Sequence, residues 1–334
     1  MRLSLGLSVG ERLSMAECIS HSQFCEEHGF DSVWVAEGRL TRDGIVPSAV
    51  IAYATKRIKV GTGVVNNKTR NPALMAVTFK TLAELAPHRV NLGIGPWWEP
   101  LASRVGAPLQ KPVKEMREYL TVVKALFRNE TVDFDGEFIR VHDIRFDMMY
   151  RENQLVDVPI YIGAVGTKML QLAGEIADGV LLDFMVPPSY VRGAVEHIKI
   201  GIARRTDGVQ MIDRPQLVAC SVDDKDPQSA IDSCKAFLTQ YLAQQPHIMK
   251  HSGIEPDLVQ RIHDEMGWPA TPTQVRHTMR LVPNEMVQQV TACGTSSDAI
   301  EQLERYRDCG ATCAVLCTLG DKEGTMRSLA KAAA

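Results

Sequence analysis

The sequence predicts an α/β fold, specifically a (β/α)8 TIM barrel with a helical insertion between strands seven and eight. Short runs rich in Val, Ile and Leu alternate with longer amphipathic segments along most of the chain. Eight such runs can be counted, the number that closes a parallel barrel. Several end in small residues, as at Gly61 and Gly63, Gly93 and Gly95, and Gly163 and Gly166. Strand ends of this kind are where parallel α/β proteins hold ligands, because glycine lets backbone amides approach closely. At 334 residues the chain suits one barrel. It reads as a single domain over 1–334 with the insertion at about 244–291, a doubly wound open sheet being the competing architecture.

The elements follow in order. Residues 2–8 form the first strand, and the amphipathic segment 11–27 is a helix stopped by Gly29. Residues 31–36 are the second strand, 46–54 a short helix and 58–63 the third strand. A polar loop leads to a helix over 72–85, opened by Pro72, and the fourth strand is 90–95. After a helix over 114–127, Asp135-Gly136 between β-type residues marks a hairpin in 131–141. Strand 159–162, helix 167–177, strand 179–182, helix 189–204, strand 216–222 and helix 229–243 continue the alternation. Helix 296–309 and strand 312–316 complete it. The segment 244–291 breaks the pattern, being rich in Pro, His, Met and charge, with short helices expected at 256–265, 272–279 and 284–290. Such an insertion forms either a lid or substrate wall, or an oligomer contact.

Composition narrows the function classes. A net charge of −3 creates no field that favours nucleic acid or an anionic membrane. No apolar run approaches the roughly 18–20 residues needed to cross a bilayer, and the start MRLSLGLSVGERL lacks the features of a signal peptide. The eight cysteines form no CxxC pair and read as reduced structural thiols of a cytoplasmic protein. Cys309, Cys313 and Cys317 recur every four residues, but Gly310 breaks any helix there. His247, His251 and His263 sit in the insertion without an HExxH motif, so no metal is expected.

The turn Gly163-Ala164-Val165-Gly166-Thr167 opens directly onto a helix. Free amides at a helix N-terminus bind phosphate, and Gly166 and Thr167 occupy that position. The alternative is a tight connection that binds nothing. The pattern is not GxGxxG, so a Rossmann dinucleotide site is discounted.

Four segments taken together carry a resemblance: GTGVVNNKTRNP at 61–72, HRVNLGIGPWWEPLASRVG at 88–106, GAVGTKMLQLAGEIADGVLL at 163–182 and GTSSDAIEQLERYRDCGATCAVL at 294–316. In order and spacing the chain resembles the luciferase-like superfamily, and within it the F420-dependent methylenetetrahydromethanopterin reductase-like branch. The resemblance implies a (β/α)8 barrel that binds coenzyme F420, a deazaflavin hydride carrier; other branches use FMN. It implies a cis peptide at Gly63-Val64 behind the deazaflavin ring. Asn66 and Arg70 are then placed to hydrogen-bond the ring or ribityl chain, the alternative for Arg70 being an ion pair at the barrel rim. Gly95, Pro96 and Trp97 would contact the cofactor, Trp97 or Trp98 would wall the substrate, and Gly163, Ala164, Gly166 and Thr167 would bind phosphate. Trp34 reads as core.

Two departures from the family pattern bear on catalysis. Many relatives carry a histidine after the second strand, where this chain has Glu37; Glu37 either replaces it as a proton donor or pairs with Arg39 or Arg42. Glu99 follows two tryptophans and either acts as the acid or caps the next helix. The expected activity is hydride transfer between the deazaflavin C5 and an electrophilic carbon (C=N, C=O or activated C=C) of a small molecule, in the reductase direction. The alternatives are an FMN-dependent luciferase-like monooxygenase and a non-catalytic cofactor-binding protein. Relatives suggest a homodimer through helices near strands two and three, with 11–27 and 46–54 as candidate faces.

Overall fold

The computed structural model describes residues 1–7, 13–38, 40–147, 155–244, 253–267 and 270–333. In chain order the elements are β1 (Arg2–Leu7), α1 (Met15–Glu27), β2 (Ser32–Val35), α2 (Ile45–Ala54), β3 (Lys59–Thr62), β4 (Val65–Asn66), α3 (Pro72–Leu85) and β5 (Val90–Gly95). Then come α4 (Leu101–Arg104), α5 (Pro112–Phe127), β6 (Val132–Asp135), β7 (Arg140–Ile144), β8 (Ile160–Ala164), α6 (Thr167–Ile176), β9 (Gly179–Leu182) and α7 (Pro188–Ile202). The last third holds β10 (Pro215–Val222), α8 (Pro227–Gln244), α9 (Pro256–Met266), α10 (Pro272–Thr278), α11 (Asn284–Val290), β11 (Ala292–Gly294), α12 (Ser296–Asp308), β12 (Cys313–Thr318) and α13 (Lys322–Ala333).

Eight parallel strands close on themselves in the order β1-β2-β3-β5-β8-β9-β10-β12, with β12 returning to β1 and β9 joined to β10. These are the eight strands expected from the sequence. The first helix starts later than expected, at Met15, because Ser14 and Glu17 form a capping box there. Asn71 caps α3, with Pro72 at its first position. The hairpin forms as β6 and β7.

The strands are apolar on both faces, and their period of two sorts the side chains into two cores. Outward residues such as Leu5, Val33, Val60, Leu92, Ile162, Val180 and Leu316 pack under the helices. Inward residues Trp34, Leu181, Leu217, Ala219, Val315 and Cys317 fill the lumen. Trp34 is the largest of these, and strands around it carry glycine to make room. A Cβ on Gly61 would stand 2.8 Å from the Trp34 ring, and one on Gly93 would overlap the Thr62 carbonyl. Trp34 meets Tyr161 edge to face, with centroids 4.9 Å apart.

The N-terminal end of the barrel is closed by charge. Arg2 reaches Asp213 at 2.5 Å and Asp31 at 3.3 Å, and the Tyr161 hydroxyl donates to Asp213 at 3.1 Å. The open end is therefore the C-terminal one. Between β10 and β11, helices α9, α10 and α11 fall close to the expected positions. Their apolar residues, among them Ile262, Met266, Val275, Val287 and Val290, join Leu238 and Leu242 of α8 in the cluster that continues into the lumen. His263 Nδ1 bonds the Ala243 carbonyl at 2.9 Å; His247 and His251 lie outside the described residues. All eight cysteines are free thiols.

Because Gly93 faces the Thr62 backbone, Gly93→Ala is expected to destabilise the fold by about 3 kcal/mol or to abolish soluble expression. Gly166, whose Cβ position is open, should accept alanine within about 0.5 kcal/mol. Urea denaturation of both variants checks the contrast.

Candidate active site

The chain leaves β3 through Gly63 and Val64, and the peptide between them is cis. This turn is tied to the end of β2: Gly63 N–H donates to Val35 O at 2.7 Å, and Glu37 N–H to Val64 O at 3.3 Å. The Val64 side chain then lies over the ends of β5 and β8. A Cβ on Gly95 would stand 2.9 Å from Val64 Cγ2, and one on Gly163 3.1 Å from Val64 Cγ1. The two strand-end glycines thus vacate the space that Val64 fills. Beyond Gly163, the chain passes through Ala164 and Val165 to Gly166, the N-cap of α6. No side chain caps this helix, and Gly166 and Thr167 are exposed. An uncapped first turn presents backbone N–H groups and the positive end of the helix dipole.

The loop after Val64 is not the simple polar loop expected. Val65 and Asn66 pair with Ile94 and Gly95 as a short strand. Asn66 is buried and fully engaged: its Oδ1 accepts from Lys68 N and Thr69 N at 2.9 Å, and its Nδ2 donates to Glu37 Oε1 at 2.8 Å. Arg70 grips Glu37 at 2.7 Å and Asp43 at 2.5 Å, while its carbonyl accepts from the Tyr119 hydroxyl at 3.0 Å. Glu37 therefore sits in an ion pair with Arg70 and not with Arg42, which bonds the Leu13 carbonyl and the Cys18 thiol. Arg39 lies outside the described residues.

The β5 end is less open than the sequence suggested. Trp97 is buried with Leu101 and Ala102 in a satellite cluster, and Trp98 packs against it half-buried. Pro96 leads into this cluster. Glu99 is exposed and caps the following turn, accepting from Ser103 N at 3.1 Å and Leu109 N at 2.9 Å; those bonds hold its carboxyl below the ordinary range. Two polar groups nearby are buried with no hydrogen-bond partner in the structure: both amide atoms of Asn67, whose N–H donates to Gly95 O at 3.2 Å, and the Trp97 indole N–H.

One residue was missed in the sequence. Leu181 of β9 points into the lumen, with its Cδ2 3.4 Å from where a Gly63 Cβ would stand. Asp183 follows β9 directly, at the C-terminal end of the strand, and is partly buried. Its backbone is pinned, since Gln216 Nε2 donates to the Asp183 carbonyl at 2.7 Å. Its carboxyl accepts from the adjacent Phe184 N–H at 2.7 Å, and no cation pairs with it among the described residues. Phe184, the next residue in the chain, forms an aromatic group with Phe237 and Tyr241, with centroids 5.3–5.9 Å apart. Burial pushes the Asp183 pKa up to about 6, opposed by the Phe184 hydrogen bond. The LLD run marked only a strand end; the missing counter-charge appears only in three dimensions.

A closed parallel barrel with a small-residue cradle at its mouth, next to an uncapped helix N-terminus, is suited to a phosphate-bearing ligand laid across the strand ends. The chain belongs to the luciferase-like monooxygenase family, whose sequence profile matches residues 4–313. It is similar to the 5,10-methylenetetrahydromethanopterin reductase of Archaeoglobus fulgidus, at 28% identity over 93% of this chain and 92% of the relative. It is also similar to the F420-dependent glucose-6-phosphate dehydrogenase of Kineococcus radiotolerans, at 31% identity over 72% of this chain and 73% of the relative. Among solved structures, the coenzyme F420-dependent tetrahydromethanopterin reductase of Methanopyrus kandleri superposes with a TM-score of 0.86. That match has 22% identity and covers 99% of this chain and 97% of the other. Among the described residues no helix is long and apolar enough to cross a membrane.

The Asp183 environment has a consequence for stability. Its carboxyl titrates from an ordinary 3.8 in the unfolded chain and from about 6 in the fold. Folding therefore favours the protonated acid, so Asp183 costs nothing below the lower value and becomes a penalty as pH rises towards the higher. Asp183→Asn is expected to gain up to about 3 kcal/mol over the wild type between pH 4 and pH 7. Urea titrations at both pH values should show this widening gap, and a constant gap would contradict it.

Proposed function

We propose that the protein is an F420-dependent oxidoreductase that acts as a reductase on the C=N, C=O or activated C=C bond of a small organic molecule. The observation that carries this reading is the surface formed by Val64 over Gly95 and Gly163, leading to the uncapped start of α6. The relative from Kineococcus radiotolerans, named for F420, supports it. The residues present fit such a cofactor: the backbone of Gly63 and Val64 would back its ring. The buried, unpartnered amide of Asn67 and indole of Trp97 would offer polar contacts, and the N–H groups of Gly166 and Thr167 would receive its phosphate. Bound F420 supplies hydride at its C5. Asn66, Glu37 and Arg70 are engaged with one another, so their role in this reading is to hold the 64–70 loop in place. Trp98 would face the substrate side, and the insertion helices would extend the substrate wall of a single domain.

A homodimer formed through α2 and α3 belongs to the same reading. Tyr53 is 75% exposed, Val46 63% and Leu74 56%, which makes an apolar face on two adjacent helices. Contiguous exposed apolar surface of this kind marks an interaction site. The free thiols suit a cytoplasmic location. The combined variant Tyr53→Glu, Leu74→Asp is expected to convert a dimer into a monomer by light scattering; an unchanged mass would place any interface elsewhere.

The experiment is a side-by-side titration of the purified protein with F420 and FMN, read by quenching of each cofactor's fluorescence. Tight F420 binding with weak FMN binding is expected. The reverse would favour an FMN-dependent monooxygenase, and tight F420 binding without turnover of any imine, enone or pterin would favour a non-catalytic binding protein. Gly163→Ala, which crowds Val64, should weaken F420 binding by about tenfold or more while leaving the melting temperature within a few degrees of the wild type.

A further inference from the structure

The cysteines differ in what their sulfurs meet. Cys18 accepts from Arg42 at 3.2 Å, and Cys309 from Arg192 at 3.4 Å. Cys25 lies 3.9 Å from the Met326 sulfur, and Cys313 3.1 Å from the Ser4 hydroxyl. Cys234 and Cys293 meet each other, the Cys234 thiol donating to the Cys293 sulfur. They come from different elements. Cys234 lies within α8, and Cys293 is the middle residue of β11. Helix α8 packs on β10 and β11, and β11 pairs with β10 so that Cys293 stands opposite Ser221. Both cysteines belong to the cluster that fills the lumen. The Thr291 hydroxyl lies 3.2 Å from the Cys293 sulfur and 2.8 Å from Val287 O of α11. Between the two cysteines the chain runs through the insertion helices α9, α10 and α11. Helix α8 leads into the insertion and β11 follows it, so the two thiols bridge its stems.

We propose that Cys234 and Cys293 are an oxidisable pair, which a hydroperoxide converts to a disulfide tying the two stems of the insertion and which a dithiol restores. The pair acts whichever cofactor the barrel holds. The Cys293 thiolate attacks a peroxide oxygen, the O–O bond breaks, and the departing hydroxide takes up the Cys293 proton as water. Cys293 is then a sulfenic acid. Cys234 attacks that sulfur, the S–O bond breaks, and the S–S bond forms as a second water leaves with the Cys234 proton. Two thiols and one peroxide thus give one disulfide and two waters, and two electrons pass from sulfur to peroxide. The order of the steps follows from the contacts. The bond from Cys234 and, after it, the Thr291 hydroxyl hold the Cys293 thiol below its ordinary range against the effect of burial, while burial pushes Cys234 up. Cys293 is therefore the attacking sulfur and Cys234 the resolving one. Cys234 is 0% exposed and Cys293 2%, so the oxidant must be small and uncharged and reaches them through local opening. The disulfide closes a loop around the whole insertion, which restricts the unfolded chain and favours the folded one.

The test uses the full-length protein treated with hydrogen peroxide, unfolded, alkylated and mapped by mass spectrometry. Trypsin cuts at Lys225, Lys235, Arg280 and Arg305, so Cys220, Cys234 and Cys293 fall on separate peptides. Oxidation of Met211, which is 69% exposed, shows that the peroxide has acted. A peptide linked through Cys234 and Cys293 is expected, lighter by two hydrogens than its parts and released by dithiothreitol. The melting temperature should rise by a few degrees on oxidation and fall back on reduction. Cys234→Ala should stop at a sulfenic acid on Cys293, trapped by dimedone, and Cys293→Ala should leave Cys234 unmodified. Cys234 and Cys293 both free for alkylation after Met211 has oxidised would overturn the proposal. So would a link from either cysteine to Cys220, or chains joined through Cys309 in its place. A sulfenic acid on Cys234 in Cys293→Ala would overturn the assigned order of attack. Where a variant does not fold, the wild-type peptide map still decides between these outcomes.

Discussion

Val64 occupies space that two neighbouring strands give up. Had Gly95 or Gly163 carried a side chain, it would have met the Val64 methyl groups at about 3 Å, and the turn after β3 would have had to lie elsewhere. The arrangement at the barrel mouth depends on this fit. Val64 brings Glu37 to the rim through the bond from Glu37 N–H to the Val64 carbonyl, and it sets the start of β4 against the end of β5. The same reasoning applies one layer down, where Gly61 and Gly93 make room for Trp34. Bulk in the lumen and glycine on the strands around it are two sides of one packing problem.

The polar groups of the rim divide into those spent on structure and those left over. Asn66, Glu37, Arg70 and Asp43 satisfy one another and fix the loop that follows Val64. Breaking such a network leaves a charge without its partner, which costs more than the network contributes while intact. The Asn67 amide and the Trp97 indole are not spent in this way. Buried polar groups without partners are the exception in folded proteins, and at a barrel mouth they mark where a ligand would complete the hydrogen bonding.

The barrel was legible because each strand shows a Val-, Ile- or Leu-rich run of the right length and each helix a periodic face. The expected strand at 216–222 and the observed β10 differ by one residue at the start. The three insertion helices were legible through Pro256, Pro272 and Asn284 at or next to their first turns. What escaped were elements made by tertiary pairing alone. The two residues of β4 and the Ala-Cys-Gly of β11 carry no periodicity and exist because the C-terminal ends of β5 and β10, at Ile94–Gly95 and Cys220–Val222, offer backbone to pair with. Site residues were legible as types and positions, not as states. The sequence left Glu37 between proton donor and partner of Arg39 or Arg42, and Arg70 between cofactor contact and rim ion pair; only distances show that the two grip each other. Asp183 was not singled out, because its lack of a paired cation among the described residues is a three-dimensional fact that no one-dimensional pattern records.

The central claim is that Val64, Gly95, Gly163 and the start of α6 form one continuous surface for a flat cofactor with a phosphate. A crystal structure of the protein grown with F420 tests it most directly. The account predicts the ring against the Gly63-Val64 turn and the phosphate on the N–H groups of Gly166 and Thr167. A ring bound away from Val64, or a phosphate held elsewhere on the barrel, would contradict it.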